Sequence, residues 1–320
     1  MMSINKCNFA GEYNRFLFMG RRFFYVPLSV LLLATTCLVS SCGQGGGGIS
    51  HATNKLTLDT ILVDSRHHLE GDTTKPYCDI HVSFVYPIES QIANLDSLQH
   101  FFVSTLFGPA YEDLAPADAV EAYIKSYVDN YNRDAVIYRE TTGNSGVPYS
   151  LLPEHNHEGN GDADSDRFYS YYENISNSIV YNRNELISLQ VKQSNNKGGA
   201  ASYQLFRNHV YNLRKGSPVP ESDLFNAGYD TALRQIIIAS LLEQNRVKSI
   251  DELEELGFFG IQEILPNKNF LLNEEGIIYT FNKGEYSAYQ LEAPEILIPY
   301  GAIRSLLREN SIASKLANLK

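Results

Sequence analysis

From Tyr77 to Tyr86 the chain alternates with a period of two, and within a few residues it changes to helical spacing. Cys78, Ile80, Val82 and Phe84 fall on one face of an extended strand, and Asp79, His81 and Ser83 on the other. Pro87 is expected to stop this strand. Ile92, Leu95, Leu98, Phe102 and Leu106 then recur at the spacing of a helix. Pro116 opens a second helix at a position where proline costs nothing. Its stripe is Val120, Tyr123, Ile124, Tyr127, Val128 and Tyr131.

The rest of the chain continues in blocks. Leu56 to Val63 reads as a strand. Residues 141–166 are rich in Gly, Asn, Pro and acid and read as a loop. Phe168 to Gln193 reads as two or three antiparallel strands, and Tyr203 to Leu213 as another, before a Gly216-Ser217-Pro218 turn. Tyr229 to Gln244 is an apolar-striped helix. Ser249 is placed to cap a short helix that runs through Leu256 and ends at Gly257. Phe270 to Leu272, Ile277 to Phe281 and Ile296 to Ile298 are short strands, and Tyr300 to Leu319 is read as a closing helix. Strands and helices cluster more than they alternate. The fold class expected is α+β, with antiparallel sheets packed against helices in two closely associated subdomains.

The N-terminus carries a different signal. Arg21 and Arg22 precede an apolar run from Phe23 to Leu38, which Pro27 interrupts. The run is short for a bilayer span, which needs roughly 20 residues, and ends in Val39-Ser40-Ser41-Cys42. This resembles the lipobox of bacterial lipoproteins. The resemblance implies a signal peptide over residues 1–41, with Met1 or Met19 as the start, and lipidation at Cys42. Residues 42–54 are then a Gly-rich tether. The tether Gly43–Gly48 has no acidic residue, which favours an outer-membrane anchor facing the periplasm over one on the cell surface. Loss of the leader removes Lys6, Arg15, Arg21, Arg22 and Glu12 and takes the formal net charge from −11 to −14. Such a balance argues against nucleic acid and favours encounter with cationic partners. Cys7 and Cys37 leave with the leader, so Cys78 is the remaining thiol and is expected to be buried and inert.

The C-terminal half carries a recognisable order of segments. Leu186-Ile187-Ser188-Leu189 leads to Lys197-Gly198-Gly199-Ala200, then His209-Val210-Tyr211-Asn212-Leu213 and Ser222-Asp223-Leu224-Phe225. Leu272-Asn273-Glu274-Glu275-Gly276-Ile277-Ile278-Tyr279-Thr280-Phe281-Asn282, Tyr286, Tyr289 and Glu295-Ile296-Leu297-Ile298-Pro299-Tyr300 follow. This order resembles the RsiV-like domain. The upstream Val85-Tyr86-Pro87 before a helix is similar to the PdaC-type domain that precedes it in that family. The resemblance divides the folded part into a PdaC-like domain over 55–195 and an RsiV-like domain over 196–320. It implies a non-catalytic envelope protein that binds peptidoglycan or a cationic, lysozyme-like muramidase. Tyr286 and Tyr289 are nominated as the contact residues. No sigma-binding or deacetylase part is expected, and Ala201 stands where the family often has histidine.

One polar constellation remains, Glu154-His155-Asn156-His157-Glu158 followed by Asp162, Asp164 and Asp166. The alternating Asp162-x-Asp164-x-Asp166 has the oxygen spacing that opens a calcium loop, with Glu173 at the twelfth position, but Arg167 stands where the sharp turn needs glycine. His155 and His157 are two metal ligands short of a complete zinc set. The expected reading is a solvated acidic loop with no cofactor. A metal-dependent envelope enzyme on His155, His157, Asp162, Asp164 and Asp166, or an accessory subunit docking another periplasmic protein, is the alternative. His67 and His68, being adjacent, are expected on opposite faces of a strand.

Overall fold

The computed structural model describes residues 53–143, 170–197, 202–288 and 291–318, with side chains over 135–143 left aside. The leader, Cys42 and the tether up to residue 52 lie outside these residues. Among the described residues, no helix is long and apolar enough to cross a membrane.

The fold is α+β. A six-stranded sheet is built in chain order from β1 (Leu56–His68), β2 (Tyr77–Ser90), β3 (Tyr171–Arg183), β4 (Leu186–Asn196), β5 (Tyr203–Asn212) and β6 (Ser217–Pro218). All neighbours are antiparallel except β2 and β3, which run parallel, Cys78 opposite Tyr171 to Ser83 opposite Ser176. That pair needs a long crossover, and it contains α1 (Leu95–Phe107) and α2 (Pro116–Gly143). The strand β2 continues through Pro87 to Ser90 because the β3 pairing has already ended at Ser83 and β1 is bulged opposite. The missing N–H therefore breaks no ladder bond on that side.

Alternation along β2 works as its sequence implies. Cys78, Ile80, Val82 and Phe84 are all essentially unexposed, and α1 covers them with Leu98, Phe102 and Leu106. Tyr127 and Tyr131 of α2 close the same core. Phe84 meets Phe107 edge-on with centroids 5.1 Å apart. The opposite face of β1 and β2 carries polar pairs, Arg66 with Asp79 and His81 with Asp64.

Leu186, Ile187, Ser188 and Leu189 of β4 are buried on both faces. Ile187, Leu189 and Val191 join the helix-side core, while Leu186 joins a second core on the other face. That second core belongs to the C-terminal part. It contains α3 (Asp230–Asn245), α4 (Ile250–Glu255) and a three-stranded antiparallel sheet of β7 (Phe270–Leu272), β8 (Gly276–Thr280) and β9 (Glu295–Pro299), with α5 (Tyr300–Ile303) and α6 (Ile312–Ala317). The Ser249 side chain caps α4 by accepting from the Glu252 N–H, as its sequence position implies. The division expected at 195/196 falls at the last residue of β4, whose pairing with β5 runs from Leu186–Asn212 to Asn195–Tyr203.

The closing helix expected over 300–319 is two short helices. Between them, the Arg308 N–H donates to the Leu224 carbonyl, and the Asn226 backbone and side chain donate to the carbonyls of Leu306 and Leu307. Asn310 takes a left-handed φ of 60°, and Ser311 caps α6 by accepting from Ser314 N–H.

Candidate functional site

The sequence-nominated metal residues His155, His157, Asp162, Asp164 and Asp166 lie outside the described residues, as do Gly198–Ala201 and Tyr289. Among the described residues, no group of three or more His, Cys, Asp or Glu is placed to hold a metal ion. Glu173, the expected twelfth position of the calcium-like loop, is a strand residue of β3 and is 2 % exposed. Its Oε1 accepts from Tyr123 Oη at 2.8 Å and from Gln193 Nε2 at 2.6 Å, so its chemistry is committed inside the core. Burial and the facing Glu173 carboxylate push the Tyr123 phenol well above its usual range.

His67 and His68 point to opposite faces, His67 beside Cys78 in register and His68 with its Nδ1 3.0 Å from the Lys75 carbonyl. Cys78 is buried and free, and burial pushes its thiol up to about 12.

Tyr286 sits half-buried against the C-terminal core, its ring edge-on to Phe281 at 5.5 Å. Its surroundings show how the surface beside it is built. Leu253 packs α4 into the core, and the chain then turns at Gly257 with a φ of 97°. The turn is tied to the segment around Tyr286 by an isolated bridge of two backbone bonds. Phe258 pairs with Ser287, the Phe259 N–H donates to the Tyr286 carbonyl at 3.0 Å, and the Ala288 N–H donates to the Gly257 carbonyl at 2.9 Å. The left-handed Gly257 and Gly260 at the two ends leave Leu256 and Phe259 standing outward, 47 % and 45 % exposed. Leu265 follows at 44 %.

The preceding α4 is acidic. Asp251, Glu252, Glu254 and Glu255 are all exposed, and Glu285 adds a further exposed carboxylate on the Tyr286 side. Exposed Arg246 and Lys248 stand just before α4, so the charge near this segment is mostly, not wholly, acidic. The exposed ring here is Phe259, which the sequence reading missed. A signal was present: Phe258-Phe259 between Gly257 and Gly260 puts two aromatics in a segment too short to bury both.

The comparisons with known proteins concern the same region. Residues 222–301, from the turn after β6 through β9 to the start of α5, match the sequence profile of DUF3298, described as a protein of unknown function. No curated protein matches the chain. The crystal structure of a DUF3298 family member from Bacteroides fragilis NCTC 9343 is similar at 27 % identity and a TM-score of 0.72, covering 83 % of this chain and 99 % of that one. A DUF3298 family protein from Pseudomonas aeruginosa PAO1 shares the fold at 12 % identity and a TM-score of 0.54, covering 81 % and 97 %. The chain thus carries a DUF3298 domain over residues 222–301, and α4 with the exposed Leu256 and Phe259 lies within it.

Proposed function

We propose that the chain is a non-catalytic lipoprotein of the bacterial envelope, anchored through Cys42 in the outer membrane on its periplasmic side. Its C-terminal surface docks a cationic, lysozyme-like muramidase. The observation that carries this reading is the exposure of Leu256 and Phe259 in the turn that directly follows the acidic α4. The likeness of the C-terminal segments to the RsiV-like domain names the partner class, and the net charge of −14 after Cys42 fits it. Charge supplies encounter and the apolar pair supplies residence, because hot spots are desolvated anchors while rim charges act mainly on association rate.

Calorimetry with the full lipid-anchored chain in detergent micelles tests it against a lysozyme-type muramidase. Cytochrome c serves as an unrelated basic control. Saturable binding of the muramidase should persist in about 1 M salt, where the screening length is about 3 Å. Phe259→Ala should weaken it by about 2 kcal/mol, as for an interface anchor. Binding that cytochrome c matches, and that salt abolishes, would reduce the interaction to charge alone. Retention on insoluble peptidoglycan without muramidase binding would move the assignment to peptidoglycan itself.

A further inference from the structure

On the other face of the six-stranded sheet, a cleft of about 530 Å³ opens between the C-terminal end of α1 and the strands β4 and β5. The helix-side wall is apolar, formed by Phe101, Phe107 and Pro109. The sheet wall carries Gln193, Arg207 and His209, with Ile175 beside Gln193 on the neighbouring strand. This size and division of character suit a small organic ligand with one polar end.

Arg207 is half-buried, and its guanidinium donates to Gln193 Oε1 at 2.9 Å and to the Leu106 carbonyl at 3.3 Å. Those bonds use two of its five N–H donors. Among the described residues, no carboxylate lies within ion-pair distance of it. The nearest compensation comes through Gln193, whose Nε2 donates to the buried Glu173 while its Oε1 accepts from Arg207. This amide cannot be reversed without setting its oxygen against a carboxylate and its N–H against a cation. The guanidinium is therefore held in place by two neutral acceptors and left with its charge facing the cleft. Burial lowers the Arg207 pKa from its usual value, which is the sign of a cation lacking its water. His209 adds an Nε2 that is buried without a hydrogen-bond partner. A half-buried cation and an orphaned imidazole nitrogen on one wall, facing aromatic rings on the other, are what a bound carboxylate with an apolar body would satisfy.

We propose that this cleft binds a small carboxylate with an apolar body, its carboxylate held by the Arg207 fork and its body lying against Phe101 and Phe107. The ligand is either a free alkyl carboxylate or the C-terminal carboxylate of a peptide. The cleft and the DUF3298 surface lie on opposite faces of the sheet, so the site stands apart from the docking reading.

Calorimetry on the full chain uses hexanoate, N-acetylleucine, N-acetylleucinamide and inorganic phosphate as probes. At least one of the two carboxylates should bind saturably, and the amide and phosphate should each bind roughly tenfold or more weaker, as expected when a charge-assisted fork is lost or an apolar body is missing. Tighter binding of N-acetylleucine than of hexanoate assigns a peptide terminus; the reverse assigns a free alkyl carboxylate. Arg207→Gln should abolish carboxylate binding. Ser104→Phe, at a half-exposed position lining the cleft, should abolish it by filling the space while leaving Arg207 in place. Binding of neither carboxylate, equal binding of carboxylate and amide, phosphate binding as tightly as the carboxylates, or binding unchanged in Ser104→Phe would overturn the proposal.

Discussion

Glu173 and Glu221 are the carboxylates that the described structure buries, out of 37 acidic residues in the chain, and each is met by a tyrosine hydroxyl. Tyr229 donates to Glu221 at 2.5 Å, and Tyr123 donates to Glu173. A buried carboxylate is tolerable only when its oxygens are hydrogen-bonded. Both donors to Glu173 meet the same oxygen, Oε1. Glu173→Gln can keep that acceptor and should cost about 1 kcal/mol in urea unfolding, whereas Glu173→Leu strands two half-buried donors and should cost about 1–3 kcal/mol. His209 is the other residue with a pH consequence. Burial first, and the neighbouring Arg207 second, lower its pKa from 6.5 to about 4. The folded state therefore resists protonation that the unfolded state accepts. The stability is fully present above pH 6.5 and is lost as pH falls from 6.5 toward about 4, by up to about 3 kcal/mol. Unfolding of His209→Gln compared with the parent chain across that window should show a shallower acid loss; parallel curves would count against this account.

At the scale of elements, side chains cover part of the β5 edge. Beyond its short pairing with β6, β5 has an open edge, and Asn282 covers it by accepting from the Phe206 N–H at 2.7 Å and donating to the Phe206 carbonyl at 3.1 Å. Asn269 does the same one step along, accepting from Asn208 N–H and donating to the Phe206 carbonyl. At Phe206 and Asn208 the amide groups stand in for a strand and occupy ladder groups that another chain could pair with. Ser188 makes the corresponding link to β7, its hydroxyl bonded to both the N–H and the carbonyl of Leu272. The β8–β9 hairpin partners depend on Gly276. A Cβ there would fall 2.0 Å from the Ile298 carbonyl oxygen, a backbone atom that cannot swing away. Gly276→Ala should therefore force β9 off β8 and cost about 3 kcal/mol or more by thermal unfolding. A loss below about 0.5 kcal/mol, the range of a neutral surface change, would show that the strands part more easily than this geometry allows.

At the scale of the whole molecule, β4 and β5 are shared by two cores. Leu186 and Val210 serve the C-terminal core, while Ile187, Leu189, Val191 and Tyr211 serve the helix-side core. Neither half can keep its core without these strands, so residues 53–318 should unfold in one transition. Far-ultraviolet circular dichroism and tyrosine emission should give coincident curves, the chain having no tryptophan. A fragment of residues 196–320 lacks the partner strand of β5 and the Ser188 link to β7, and should not fold alone. A sharp cooperative melt of that fragment would show two independent domains instead.

The sequence by itself determined the local elements. Period-two and helical runs located β1 through β5, α1, α2, α3 and the Ser249 cap of α4, because one-faced burial and capping are properties of neighbours along the chain. It also carried the α+β class, through the clustering of those runs. The tertiary structure alone decided the parallel β2–β3 pairing, the break of the closing helix by its bonds to Leu224 and Asn226, and which carboxylates go inside. It alone placed Phe259 outward and set Arg207 and His209 on one wall of a cleft. These outcomes depend on partners tens of residues distant, such as Tyr123 for Glu173 and Leu106 for Arg207, and a local pattern contains no term for them.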